Sequence, residues 1–343
     1  MPILRLLAGI SRTICTGPLL LFSCLAVLFF GCADSSQSGL GRFEVTNTNS
    51  PQTQAFMIIE DALSDIDPLA RVNGIEVVGT TRLARFLPRV QVLLEDQIVP
   101  VRFAAALAIG DMQYTPAKAA LNPLLKDRNS NVIIAASYAM ARLGYPEYLQ
   151  VVRGALESKD QTIRANAAFL LGRAGDRSSL RLLQQIQEDK NSTDKVRFQA
   201  LEARANLGDE EVLAKLWAIV YSGYHDDRIM GIKAMGALRS RKAQEILLTK
   251  LDDSVLEVRL AAAEQLGNLG DTTGETEVLA VFEQNLATGP DKQTNERINV
   301  LTALAIGRIC TPKLTKYLPQ LLRNESKFAR IAAAKAVFQC RIR

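Results

Sequence analysis

Apolar and small side chains recur along this chain in a fixed rhythm. Val101-Arg102 is followed by Ala105, Ala106, Ala108, Ile109 and Gly110, Ile163-Arg164 by Ala167, Ala168, Leu170, Leu171 and Gly172, and Val258-Arg259 by Ala262, Ala263, Gln265, Leu266 and Gly267. With the arginine as register zero, equivalent positions fall at Arg71, Arg102, Ile133, Arg164, Arg197, Arg228, Arg259, Asn299 and Arg330, spaced by 31, 31, 31, 33, 31, 31, 40 and 31 residues. Apolar or small residues at offsets 3, 4, 7 and 10 line one face of a 3.6-residue helix. A second apolar stretch precedes each such helix and ends in a polar turn, as in Tyr148-Leu149, Val151-Val152 and Ala155-Leu156 before Ser158-Lys159-Asp160. Each unit is therefore expected to be a pair of antiparallel helices, and about nine units follow one another. Fixed-period self-similarity of this kind marks an array in which each unit buries its apolar face against its neighbours.

The punctuation agrees with that reading. Acids precede many of the second helices (Asp96, Asp127, Asp160, Asp194, Asp226, Asp253), where a carboxylate caps free amides and opposes the helix dipole. Leu-Gly or Ala-Gly at offsets 10 and 11 (Leu143-Gly144, Ala174-Gly175, Leu207-Gly208, Leu269-Gly270) supplies a left-handed residue to end the helix. In the eighth unit, helix-forming residues run from about Glu275 to Ala287, and Thr288 to Asn295 are turn formers without apolar period. The nine extra residues of the 40-residue spacing are thus expected mostly in a loop between that unit's helices.

The first 31 residues do not share the repeat. Arg5 and Arg12 precede an apolar run from Pro18 to Phe30 that ends in Gly31-Cys32. This is the layout of a secretory signal peptide, and the run is short for a spanning helix. Its end resembles the bacterial lipobox, in which a small residue precedes a cysteine that is acylated and becomes the mature N-terminus. Phe29 and Phe30 depart from the usual pattern, and an uncleaved signal anchor is the alternative; in both cases the remainder faces outward. The domain reading is a lipoprotein-type signal peptide over 1–31, a polar flexible tether over 32–51 with a reach of roughly 25 Å, and the repeat array over 52–343. Cys32 is the candidate lipid acceptor, and the location expected is the bacterial cell envelope, on the periplasmic or extracytoplasmic face.

Composition sharpens the fold and narrows the chemistry. Hydrophobic residues make up 48% of the 343 residues and aromatics only 6%, a profile suited to short, closely packed Ala- and Leu-rich helices. A formal charge of +5 is too mild to predict nucleic-acid binding. Of five cysteines, Cys15 and Cys24 lie in the leader and Cys32 is the candidate lipid acceptor, leaving Cys310 and Cys340 at offsets 11 and 10 of consecutive units. A helix-packing distance of about 9 Å between them exceeds what a disulfide tolerates, so two buried free thiols are expected.

The string Val-Arg, Ala-Ala, Leu-Gly, Leu-Gly-Asp resembles the HEAT-like repeat first associated with phycobilin lyases, over roughly residues 52–343. The resemblance implies an all-α, right-handed α-solenoid of about nine two-helix HEAT-like repeats, with the register arginine joining a ladder of Arg and Asp between neighbours. Ile133 and Asn299 interrupt that ladder. Deoxyhypusine hydroxylases resemble this repeat type and hold two irons with several His-Glu pairs, but this chain has one histidine, His225, which reads as part of a solvated turn capped by aspartate. Phosphate loops, a dinucleotide fingerprint, a Gly-x-Ser-x-Gly element and zinc-type clusters are missing from the sequence. No cofactor, no metal and no catalytic activity are expected; the alternative is a HEAT-like enzyme or lyase-related subunit of the chromophore lyase or hydroxylase type.

Solenoids bind partners along the exposed columns of their second helices. Helical angles place offsets 2, 5 and 9 opposite the buried stripe. Offset 5 reads Glu76, Leu107, Tyr138, Phe169, Glu202, Lys233, Glu264, Leu304 and Lys335, so three consecutive units carry a large apolar side chain there, with Arg142 and Arg173 nearby at offset 9. Leu107, Tyr138, Phe169, Arg142 and Arg173 are the candidate partner-binding residues, forming a strip for a protein or peptide. Alternatively the strip packs beneath a neighbouring helix or the N-terminal segment. The function expected is a membrane-tethered extracytoplasmic protein-binding scaffold without catalysis.

Overall fold

A computed structural model of the chain describes residues 50–342. The signal segment, the lipid acceptor Cys32 and nearly all of the tether lie outside the described residues. Among the described residues the chain is helical with no strand, and no helix is long and apolar enough to cross a membrane.

Nine helices carry the register positions: Pro68–Thr81, Val99–Asp111, Ser130–Arg142, Gln161–Ala174, Asp194–Asn206, His225–Ala237, Leu256–Asn268, Lys292–Ile309 and Lys327–Gln339. We call these the inner helices. All but the eighth begin three residues before their register position. The outer partner of the first is Pro51–Ser64, a helix capped by the Ser50 hydroxyl, which accepts from Thr53 N at 3.1 Å. Later outer helices are shorter, such as Leu87–Val92 and Leu149–Gly154, and tighten into 3₁₀ turns at their ends. The eighth inner helix starts at Lys292 and has 18 residues. The expected loop between the two helices spans 284–291, ending earlier than the turn formers suggest: Asp291 caps the inner helix by accepting from Gln293 N and Thr294 N, and an extra turn of helix absorbs part of the insertion.

Two features make the stacking close. The first is the ladder. Arg71, Arg102, Arg164 and Arg228 reach the aspartates 25 residues ahead, Asp96, Asp127, Asp189 and Asp253, at 2.9, 2.9, 2.9 and 3.0 Å. The same guanidinium often also donates to carbonyls of its own turn, as Arg102 does to Asp96 O at 2.7 Å. Most of these aspartates hold turns rather than cap helices. Asp96, Asp127 and Asp253 accept from the amides of Ile98, Asn129 and Val255 at 2.8, 2.8 and 3.0 Å, whereas Asp160 caps its helix through Thr162 N and Ile163 N. Asp194 and Asp226 lie inside the first helical turn. At the interruptions, Asn299 donates instead to Asn295 O of its own helix, and Ile133 has no polar group to offer.

The second feature is small residues at offset 8. A Cβ on Gly172 would lie 2.7 Å from Ala203 Cα, and one on Gly307 would lie 2.9 Å from Ala336 Cα, so neighbouring inner helices are nearly in backbone contact. The glycines expected to end helices do so in the left-handed region, at φ 101° (Gly144), 75° (Gly175), 75° (Gly208) and 83° (Gly270).

The array closes on itself. Besides its neighbour, the eighth inner helix, the ninth inner helix packs on the first outer helix and, less extensively, on the first inner helix. Lys327 Nζ lies 3.0 Å from Asp65 and 3.1 Å from Asp67, Lys335 Nζ lies 3.1 Å from Glu76, and the rings of Phe56 and Phe338 are 4.9 Å apart. Phe338 occupies offset 8, where glycine is the commonest residue in the other units. Its bulk fits a closing contact made against an outer helix rather than the usual inner one.

Cys310 and Cys340 form a disulfide with Cα atoms 5.3 Å apart, which corrects the expectation of free thiols. Uniform helix spacing overestimates their separation. Gly307 draws the eighth and ninth inner helices together, and Cys310 lies beyond its helix in the left-handed region at φ 56°, which redirects its side chain.

Candidate functional site

Ring closure changes the fate of the inner columns. Leu107, Tyr138 and Phe169 are 2%, 0% and 9% exposed, so the expected solvent-facing strip is corrected: these side chains are core. Offset 2 is buried as well, at Asn73, Ala104, Ala135, Asn166, Gln199, Ala261 and Ala332. The helical angles correctly turn these positions away from the outer helices, but in a closed ring that direction leads to the interior.

Three of the five candidate binding residues do converge, around an aspartate the register had not singled out. Asp111, at the end of the second inner helix, accepts from the Tyr138 hydroxyl and from Arg173, whose Nε is 2.9 Å away. The Arg173 guanidinium also stands 6.0 Å from the centroid of the Phe169 ring. Burial and the adjacent Asp111 push the Tyr138 phenol well above its ordinary range, so it serves as a neutral donor. Leu107 lies one turn before Asp111 on the same helix. Arg142 is half-buried with an unpartnered Nε; it makes no hydrogen bond to the cluster, but its charge reaches the Tyr138 phenol.

The interior holds a cavity of about 270 Å³ whose walls come from units on opposite sides of the ring. Ile75, Ala104, Leu107, Ile229 and Met230 give it apolar surface, and Glu76, Asp111, Arg173, Glu202, Lys233, Glu264 and Lys335 bring charge. Glu76 and Lys335 form an ion pair, and burial pushes the Glu202 carboxyl up.

The outer surface offers a second candidate. Between the fifth and sixth units lies a groove of about 1130 Å³, lined by Phe198, Leu201, Ile219, Met230, Lys195 and Lys215, of which Phe198 and Met230 also line the interior cavity. On another face of the same outer helix and in the turn after it, three aromatic residues are exposed: Trp217 (51%), Tyr221 (45%) and Tyr224 (78%). The Trp217 and Tyr221 rings are 4.8 Å apart, as the i,i+4 spacing along one helix face provides. Tyr221 is held from other sides by Lys250, 3.5 Å above its ring, and by Thr249, whose hydroxyl is 2.9 Å from the phenol oxygen. Trp217 is the chain's one tryptophan, and its exposure at sequence level was hidden by the apolar character of Leu213–Val220.

His225 opens the sixth inner helix, with its Nε2 3.8 Å from Asp226. Among the described residues no group of three or more His, Cys, Asp or Glu side chains is placed to hold a metal ion.

The chain matches the family described as HEAT repeats over residues 86–164 and 152–231, and the PBS lyase HEAT-like repeat over 258–288. Among solved structures it is similar to the complex of CpcE and CpcF of phycocyanin lyase from Nostoc sp. PCC7120, at 17% identity and a TM-score of 0.40, covering 73% of this chain and 93% of that one. It is also similar to human deoxyhypusine hydroxylase (15% identity, TM-score 0.37, 77% and 99% covered) and to importin beta (15%, 0.34, 83% and 44%). None of the curated proteins compared with it matches. Repeat matches in both halves of the array, on a structure of stacked helix pairs, identify the chain as a HEAT-repeat protein.

Proposed function

We propose that this protein is a lipid-tethered extracytoplasmic scaffold that binds a protein partner through its outer surface and has no catalytic activity of its own. The observation that carries the reading is the exposed, stacked pair Trp217 and Tyr221, with Tyr224 exposed three residues on, on a ring whose inner columns are buried. Trp and Tyr are the side chains that anchor protein interfaces, and Tyr221 is already fixed by Lys250 and Thr249, so little conformational freedom is lost when a partner covers it. The Cys310–Cys340 disulfide supports an oxidising compartment, in keeping with the leader sequence and the lipobox-like Gly31-Cys32. The chain's one histidine is half-exposed at a helix start, which supports the non-catalytic reading over the enzyme alternative.

Two comparisons test the reading. Cys32→Ser should abolish incorporation of labelled fatty acid and alter processing; unchanged acylation would refute the tether. Cross-linking in intact membranes should join a protein to the wild-type chain, and the triple variant Trp217→Ala, Tyr221→Ala, Tyr224→Ala should lose that product while keeping its melting transition. Loss of a central aromatic anchor costs about 2 kcal/mol or more, roughly 30-fold in affinity. A folded triple variant that retains the cross-link would place the docking surface elsewhere.

A further inference from the structure

The ring has two rims, and the tether joins only one of them. Each outer helix runs antiparallel to the inner helix that follows it, so the start of Pro51–Ser64 and the C-terminal ends of the inner helices share one rim. Phe56, in the second turn of that first outer helix, stacks within 4.9 Å of Phe338 and lies 4.5 Å from the Arg85 guanidinium. The chain therefore enters the array at Ser50 on this rim, at the seam between the first and ninth units.

Away from the seam, several cations of this rim stand against acids: Arg173 against Asp111, Arg204 against Asp209 and Lys313 against Glu275. At the seam they do not. An open pocket of about 380 Å³ is lined by Arg82, Arg308 and Arg341, with no aspartate or glutamate on its wall. All three arginines are exposed, and among the described residues none forms an ion pair or donates a hydrogen bond. Arg308 also borders the interior cavity, yet it pairs with none of the carboxylates there. The neighbouring Thr80 and Thr81 hydroxyls are committed to Glu76 O and Val77 O, each at 2.7 Å. The guanidinium groups are thus the free donors of the pocket. A helix C-terminus favours a cation beside its last carbonyls. Three cations around one acid-free pocket repel one another until an anion sits between them, and guanidinium forks match phosphate oxygens bidentately.

We propose that the pocket of Arg82, Arg308 and Arg341 binds the phosphate of an anionic phospholipid headgroup and seats this rim on the membrane. The choice of a lipid over a free phosphate rests on the lipid-tether reading, since the tether brings the bilayer to the rim that carries the pocket. Tyr221 and Tyr224 lie toward the opposite rim, where the sixth outer helix ends and the sixth inner helix begins, and stay clear of the bilayer for a protein partner.

The test is flotation of the purified chain from Ala33 to Arg343, without leader or lipid, with vesicles of phosphatidylcholine alone or mixed equally with phosphatidylglycerol. Binding to the mixed vesicles alone is expected, weakening as salt rises. At about fivefold per basic residue near an anionic surface, the triple variant Arg82→Gln, Arg308→Gln, Arg341→Gln should lose roughly 100-fold in affinity with its melting transition unchanged. Arg128→Gln, Lys159→Gln, Arg323→Gln makes the same charge change on exposed residues of the opposite rim. It should bind within about threefold of wild type, because screening confines the attraction to the rim that faces the bilayer. Equal losses in the two triple variants would reduce the effect to net charge and overturn the site, as would failure of the wild type to bind mixed vesicles. Saturable titration with inorganic phosphate in the absence of vesicle binding would identify a free anion as the ligand and overturn the lipid assignment. Because the tested chain carries no lipid, vesicle binding together with an unmodified Cys32 in cells would remove the tether and leave the site standing.

Discussion

Replacing Lys335 with methionine removes one partner of the ion pair that joins the two ends of the chain. Lys335 and Glu76 are 10% and 12% exposed at the side chain, with Nζ and Oε1 3.1 Å apart. At an effective dielectric of ~20 their attraction is about 5 kcal/mol, opposed by the desolvation of both ions. Removing one partner leaves Glu76 buried with both oxygens unsatisfied, and such changes cost about 3–5 kcal/mol. Urea unfolding of Lys335→Met at pH 7 should therefore show a loss of about 3 kcal/mol or more, whereas Glu76→Leu combined with Lys335→Met should return to within about 1 kcal/mol of wild type. The pH dependence supplies a second check. In the native protein, burial pushes the Glu76 carboxyl up, but Lys335, helped by Arg173, more than reverses this and holds it at about 2, below its ordinary 4.5. The pair therefore contributes above pH 4.5 and its contribution is lost as the pH falls toward 2. In Lys335→Met burial is opposed by the weaker pull of Arg173 without that of Lys335, and the folded pKa rises from its native value. The charged form then destabilises at neutral pH, and the deficit relative to wild type should narrow as the pH falls to about 4. A single variant within about 0.5 kcal/mol of wild type across this range would mean that Glu76 is not enclosed by the ninth unit.

The remaining predictions concern the packing of the array. Breaking the disulfide with Cys310→Ser should cost about 3.5 kcal/mol by loop entropy for a sequence separation of 30, and peptide mapping without reduction should recover Cys310 and Cys340 on one cross-linked fragment; separate peptides would refute the bond. Gly172→Ala places a methyl group 2.7 Å from Ala203 Cα and should destabilise by about 1–3 kcal/mol, while Gly79→Ala, 3.4 Å from the Ala108 methyl, should be neutral or gain up to about 1 kcal/mol of helix propensity in thermal melts. Equal effects at the two glycines would show that offset 8 is not a close-contact position.

Local rules carried most of the fold. The period, the offset-11 glycines and the arginine register need only neighbours along the chain and in the adjacent unit, and Arg71, Arg102, Arg164 and Arg228 meet their aspartates as the ladder requires. Closure is different in kind. It depends on small rotations accumulated over nine units, and its contacts join residues some 260 positions apart, as Lys327 and Asp65 do. Nothing periodic marks them, and Lys327 and Lys335 look like ordinary surface charges in the sequence. A signal existed nonetheless: offset 5 begins with Glu76 and ends with Lys335, opposite charges at the two ends of one column, and offset 8 ends with Phe338 where glycine is the commonest residue. Missing closure also misplaced Leu107, Tyr138 and Phe169, because a helical wheel gives a direction without saying what lies there. The Trp217 cluster was overlooked for a related reason: Leu213–Val220 is apolar on both faces, and only the structure separates Leu216 and Val220, both buried, from the exposed Trp217.

Ring closure is the claim on which the buried columns, the interior cavity and the outer docking surface all depend, and zero-length carbodiimide cross-linking tests it most directly. The reagent joins a carboxylate to an amine only when the two are in contact, as Lys327 is with Asp65 and Asp67 at 3.0 and 3.1 Å. Monomeric cross-linked protein, digested and analysed by mass spectrometry, should yield a peptide joining the segment around Asp65 and Asp67 to that around Lys327. Lys313 and Glu275, 3.0 Å apart within the array, provide the positive control. Recovery of the Lys313–Glu275 product without any link between the first and ninth units would contradict closure and return the molecule to an open solenoid.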